Sequence, residues 1–191
     1  MTSAILGRTM PWTEEEFLAL GETSERVELF DGELTVTPAS TPLHQHISFE
    51  LKLALRQAVR KAGLTVHEAV NVRLEPGRIP IPDLVITEQI NLQNPVIDAE
   101  AVLLVCEITS PSNAATDKVR KMEYYAGARI PWYLLVEQTG TLHLFRLNDS
   151  HYVEHSVTPY GEVLHLREPV EVDIDTAELR PPDFGWSHAV D

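Results

Sequence analysis

Between Leu43 and Ala62 the apolar residues Ile47, Leu51, Leu55 and Val59 recur every four positions, and Gly63 follows as a stop, so this stretch is predicted to be an amphipathic helix. Upstream, Thr13 with Glu16 has the spacing of a capping box and precedes Phe17, Leu18 and Leu20, which predicts a short helix. Between the two, Val27–Phe30 and Glu33–Val36 flank Asp31-Gly32, a dipeptide suited to the positive φ angles of a tight hairpin. Val66, Glu68, Val70, Val72 and Leu74 alternate as on one face of a single extended segment, closed by the turn Glu75-Pro76-Gly77-Arg78. Pro80 and Pro82 cannot donate to a ladder, so the next strand is expected to begin at about Asp83. Ala101–Ile108 is the most apolar run in the chain and reads as a central strand covered on both faces. A helix follows over 113–126, closed by Gly127, then a hairpin of Trp132–Val136 and Thr141–Leu147 about Gln138-Thr139-Gly140. Weaker strands are expected at 152–157, 161–166 and 170–174. This order of elements predicts an α/β domain with one mixed sheet and few helices, a single domain over 1–180 and a tail over 181–191.

The composition narrows the function classes. With 191 residues and 43% hydrophobic content the chain can bury a core, and one cysteine, Cys106, excludes an internal disulfide framework and a cysteine-based zinc knuckle. No long apolar segment opens the chain, so a cytoplasmic protein with no membrane span is expected. The net charge of −14 has the wrong sign for a protein that coats nucleic acid. It is unevenly spread: residues 1–50 carry −7, residues 149–191 carry −8, and residues 51–148 are balanced at +1. A local phosphate site in the middle therefore stays open. Lys52, Arg56 and Arg60 form a basic four-residue series on the long helix, a candidate for phosphate contacts or simply a solvated face.

Glu107 is anomalous, because an unpaired carboxylate inside an apolar strand costs several kcal/mol or is forced to protonate. Either a basic partner or a divalent cation would compensate it. Asp83 opens another apolar strand; if the two strands run antiparallel, Asp83 and Glu107 converge at one sheet edge as hard oxygen ligands for Mg²⁺ or Mn²⁺. Glu28, embedded in Val27-Glu28-Leu29-Phe30, is a third candidate or else an exposed hairpin position. His44 and His46 are spaced too closely to share a metal on a helix, although His44 could face a substrate.

Five blocks in order carry a family resemblance: Val27–Leu34, then Pro82-Asp83-Leu84-Val85, then Val105–Ser112, then Lys121-Met122-Glu123-Tyr124-Tyr125-Ala126-Gly127, then Ile130–Val136. Together they resemble the Uma-type restriction endonucleases, a branch of the PD-(D/E)XK nuclease superfamily, from about residue 11 to about residue 175. The resemblance implies a restriction-endonuclease-like fold with a central mixed β-sheet flanked by α-helices. It further implies Asp83, Glu107 and Glu28 as catalytic acids and metal ligands for Mg²⁺ or Mn²⁺. The lysine that usually stands two residues after the strand acid is replaced by Thr109, and the resemblance gives its role to Lys121, with Tyr125 in support and Lys118 one turn earlier as a competitor. The activity implied is metal-assisted hydrolysis of DNA phosphodiester bonds. Thr109 and the acidic flanks motivate a second reading, a catalytically inactive module that binds nucleic acid or protein; hydrolysis of another anionic substrate is a third. An exposed Trp132-Tyr133 block, with Phe184 and Trp186, is expected to seal a homodimer.

Overall fold

The computed structural model describes residues 11–109 and 115–181, with residues 115–118 described by their backbone alone. The first helix, α1 (Glu14–Leu18), begins where the capping box predicts it: the Thr13 hydroxyl accepts from the Glu16 amide and the Glu16 carboxylate accepts from the Thr13 amide. Strands β1 (Arg26–Phe30) and β2 (Glu33–Thr37) form the expected hairpin. Asp31 and Gly32 both have positive φ, 54° and 86°, the requirement of a type I′ turn. The long helix α2 (Pro42–Lys61) is capped by Thr41, whose hydroxyl accepts from the His44 amide, and Pro42 occupies the first turn, where its missing donor costs nothing.

Strands β3 (Thr65–Glu68), β6 (Leu84–Thr87), β8 (Val102–Thr109), β9 (Trp132–Glu137), β10 (Leu142–Asn148) and β11 (His151–Thr158) build one sheet, in the order β11-β10-β9-β8-β6-β3. Only β8 and β9 run parallel, and α3 (Ala115–Gly127) connects them, so the sheet is mixed as expected. Short strands β4 (Val72–Arg73) and β7 (Ile97–Asp98) pair with each other, β5 (Arg78–Ile79) joins the β1–β2 hairpin, and β12 (Val163–Leu166) pairs with β13 (Val172–Asp175).

The apolar runs in β8 and β9 are continuous because both sheet faces are covered. On one face Leu104, Cys106, Ile108, Trp132, Leu134 and Val136 pack with Ile47, Leu51, Leu55 and Val59 of α2. On the other, Val85, Val105, Tyr133 and Leu135 pack with Tyr125 and Ile130 from the α3 side. Fully burying one such side chain stabilises the fold by about 1.5–3 kcal/mol. A third cluster joins Phe17 to Val27, Leu29 and Ile79 of the hairpin.

Two expectations are corrected, the single strand over 66–74 and the exposed Trp132-Tyr133 block. The segment from Val66 to Leu74 is not one strand: it breaks at Ala69, which has a φ of 51°, so Val66 joins the α2-side core while Val70, Val72 and Leu74 join the other. Gly127 is the last residue of α3, where the sequence places the stop, but it is not the left-handed residue of that terminus. The left-handed residue is Arg129 (φ 61°), and Arg129 and Ile130 donate to the carbonyls of Ala126 and Tyr125, so hydrogen bonds close this terminus without a glycine. Trp132 and Tyr133 are not an exposed seam; they are 5% and 0% exposed, so they cannot form a dimer surface. Phe184 and Trp186 lie outside the described residues. In the basic series of α2, Lys52 is bound to Glu68 at 3.1 Å, whereas Arg56 and Arg60 are exposed. Among the described residues, no helix is long and apolar enough to cross a membrane.

Candidate active site

The register of the sheet assembles the site. In the antiparallel β6–β8 pair Leu84 lies opposite Cys106, and one step further along both strands stand Asp83 and Glu107. Glu107 alternates with Cys106, so it shares the phase of Val105 and lies on the α3 side of the sheet. There the Tyr125 hydroxyl donates to Glu107 Oε1 at 2.5 Å, and Lys121 Nζ lies 3.4 Å from the same oxygen. The i, i+4 spacing of Lys121 and Tyr125 puts both on one face of α3. Lys121 also donates to Glu28 Oε1 at 3.0 Å. Glu28 is 2% exposed, which decides between its two sequence readings: it faces inward, and its Oε1 also accepts from the Ile81 amide.

Asp83 is held from three sides. Arg26 Nη1 donates to Oδ1 at 2.7 Å, and the Ile108 amide donates to Oδ2 at 2.8 Å. His44 Nε2 lies 3.1 Å from Oδ2. Burial alone would raise the pKa of Asp83, but His44, Arg26 and the Ile108 amide outweigh it and hold the carboxyl down at about 2. An ionised carboxylate only accepts, so His44 must carry its proton on Nε2. Glu107 goes the other way. Burial raises its pKa, Asp83 and Glu28 add to the effect, and Lys121 and Arg26 oppose without cancelling it. Burial disfavours the charge on Lys121, yet Glu107 and Glu28 more than compensate and raise its pKa, so it remains an ammonium at neutral pH. Lys121 is thus a fixed positive charge and not a proton acceptor. Burial and Glu107 raise the pKa of Tyr125, which stays a donor.

Asp83, Glu107, Glu28, Lys121, Tyr125 and His44 are therefore brought together. The Lys118 side chain lies outside the described residues, as do Ser110 and Ser112. Lys52 is spent on Glu68, and Arg56 and Arg60 stand exposed on α2. Sequence reasoning missed Arg26. The available signal was its spacing: Arg26 and Glu28 are two residues apart on β1 and therefore share a face.

Three acids face two fixed cations, Arg26 and Lys121, which leaves excess negative charge in a buried setting. Among the described residues, the hydrogen bonds to Glu28 and Glu107 fall on their Oε1 atoms, which leaves each Oε2 with its lone pairs. This donor set is chemically suited to a hard divalent cation. Among the described residues no group of three or more His, Cys, Asp or Glu is drawn tightly enough to form a preformed metal cage.

A mixed sheet with α3 crossing between its parallel strands, and carboxylates with a lysine at one edge, defines a restriction-endonuclease-like protein. The Uma2 family model, described as "Putative restriction endonuclease", matches residues 14–178, and the chain belongs to that family. A crystal structure of a putative nuclease belonging to DUF820 from Anabaena variabilis ATCC 29413 has the same fold, with a TM-score of 0.73 at 16% identity over 88% of this chain and 97% of that one. A cryo-EM structure of a DrdV–DNA complex is more distant, at 13% identity and a TM-score of 0.34 over 62% of this chain and 12% of that one. No curated protein matches the chain.

Proposed function

We propose that this protein is a divalent-metal-dependent endonuclease that hydrolyses DNA phosphodiester bonds. The observation that carries this reading is Lys121, which reaches Glu28 and Glu107 from α3 and so supplies the cation missing at Thr109. Asp83 and Glu107, with Glu28 beside them, would hold Mg²⁺ or Mn²⁺; a bound ion polarises the phosphate and lowers the pKa of a coordinated water. Lys121 stays charged and offsets the negative charge that develops on the phosphorus oxygens. Tyr125 fixes the rotamer of Glu107 by its hydrogen bond, and Arg26 with the Ile108 amide keeps Asp83 ionised.

One observation favours a second reading, a non-catalytic module of the same fold: both oxygens of Asp83 already have protein donors. Incubating supercoiled DNA at low salt with Mg²⁺, Mn²⁺ or EDTA separates the two. Cleavage that needs metal and disappears in both Asp83→Ala and Lys121→Ala is the result expected of the enzyme. A wild-type protein as inert as these variants on generic and sequence-diverse DNA would leave the binding module.

A further inference from the structure

Beside the acids, at the far end of β1, three donors converge on one exposed carboxylate. Arg78 Nε donates to Asp31 Oδ1 at 2.7 Å, and the Tyr124 hydroxyl donates to Oδ2 at 3.3 Å. Arg120 Nη2 lies 4.0 Å from Oδ2, and Arg120 Nε donates to the Tyr124 hydroxyl at 2.8 Å. Arg78 also pairs with Glu75. Both guanidinium groups lie against aromatic faces: Arg78 sits 4.3 Å from the Tyr124 ring centroid, and Arg120 lies 5.3 Å from Tyr124 and 5.4 Å from Phe30. Tyr124 and Phe30 are themselves stacked at 5.6 Å.

This cluster is continuous with the acid site on two elements. Phe30 shares the β1 face of Glu28 and Arg26, while Arg120 and Tyr124 each immediately precede Lys121 and Tyr125 on α3.

A structural role for Asp31 would need no aromatic floor beneath its partners and no convergence of three donors at an exposed position. Its carboxylate is about half exposed, so water screens its ion pairs and leaves them weak. A competing anion can therefore displace it at little cost. We infer that Arg78, Arg120 and Tyr124 form a phosphate subsite for a nucleic-acid strand, that the buried Phe30 ring supports Tyr124 from beneath, and that Asp31 holds the place of the phosphate until the strand binds. The inference rests on the nuclease reading for its substrate class. It places the strand on this rim and not on the Lys52–Arg60 ridge of α2.

The test is binding of a fluorescein-labelled DNA oligonucleotide, as single strand and as duplex, by anisotropy at low salt in EDTA. Because no cleavage is needed, loss of this site and loss of nuclease activity are separately visible. Asp31→Asn keeps a residue that tolerates the positive φ of the turn and removes the competing charge, so affinity should rise roughly three- to tenfold. Arg78→Ala should weaken binding about fivefold and lower the slope of log affinity against log salt by about one. Arg56→Ala serves as the comparison on the α2 ridge and should change little. An Asp31→Asn protein that keeps its thermal midpoint yet binds no tighter overturns the inference, as does a larger loss for Arg56→Ala than for Arg78→Ala. Inorganic phosphate that displaces the probe completely at matched ionic strength would identify a free-anion site and also overturn it.

Discussion

Among the described residues, two lysine–carboxylate groups are built from helix and strand side chains, and they differ in almost everything except composition. On α2, Lys52 binds Glu68 at 3.1 Å with both side chains over 30% exposed, and Ser48 donates to the other oxygen of Glu68. On α3, Lys121 lies between Glu28 and Glu107 in a pocket where none of the three side chains exceeds 14% exposure. Water screens the first pair and leaves it marginal. The second group has lost that screening, so each charge depends on the others and their affinities for protons diverge. The same residue types thus serve as surface trim in one place and as a candidate catalytic centre in the other.

The sharpest way to break this comparison is to remove each lysine. Lys121→Ala leaves Glu28 and Glu107 without their shared cation, and truncating one partner of a buried pair costs about 3–5 kcal/mol. Urea unfolding at pH 7 should show that loss, and DNA cleavage should fall by about 10²–10³ if Lys121 stabilises the transition state. An Lys121→Ala protein as stable as wild type would mean that the site is wetter than its burial implies.

Acid titration comes next. Asp83 has a folded pKa of about 2, below the ordinary carboxylate value, so its contribution is fully present above about pH 4 and is lost as pH falls through 2. A shift of that size corresponds to about 2–3 kcal/mol. Glu107 has the opposite sign: its raised pKa means the fold binds its proton more readily than the unfolded chain, so its effect favours stability at low pH and fades as pH rises. Comparing wild type with Asp83→Asn between pH 4 and pH 2 isolates the first effect, and the variant should lose less stability across that interval.

Tyr125→Phe removes one donor from Glu107 while keeping the ring against Tyr133, and should cost about 1–2 kcal/mol in the unfolding midpoint series. The smallest effect belongs to Lys52→Ala, within about 1 kcal/mol and shrinking further in high salt. If Lys52→Ala proved as costly as Tyr125→Phe, the distinction between the two groups would fail.

Local features were legible because local chemistry sets them. The Thr13–Glu16 box, the Asp31-Gly32 turn and the four-residue apolar series of α2 each act within one or two turns of chain, and each element stands within a residue or two of its expected bounds. The break at Ala69 was hidden because alternation continues through it, and only the switch of core from one sheet face to the other reveals it. Trp132 and Tyr133 were misread for a related reason: an apolar pair in a strand does not state whether a helix covers it. Arg26 was missed because its partner, Asp83, is 57 residues away.

By itself, the sequence determined the longer helices and strands, the mixed α/β class and the presence of acids in segments too apolar to leave them unpaired. Hydrophobic period, turn chemistry and capping operate over short separations and are written in neighbouring residues. The tertiary structure alone decided which carboxylates meet. The β6–β8 register brings Asp83 and Glu107 to one edge, the hairpin turns Glu28 inward, and the crossover carries Lys121 to Glu28 and Glu107. Those outcomes depend on which surfaces are excluded from water and on contacts that span tens of residues, and burial is what turns ordinary acids and a lysine into a strongly coupled group.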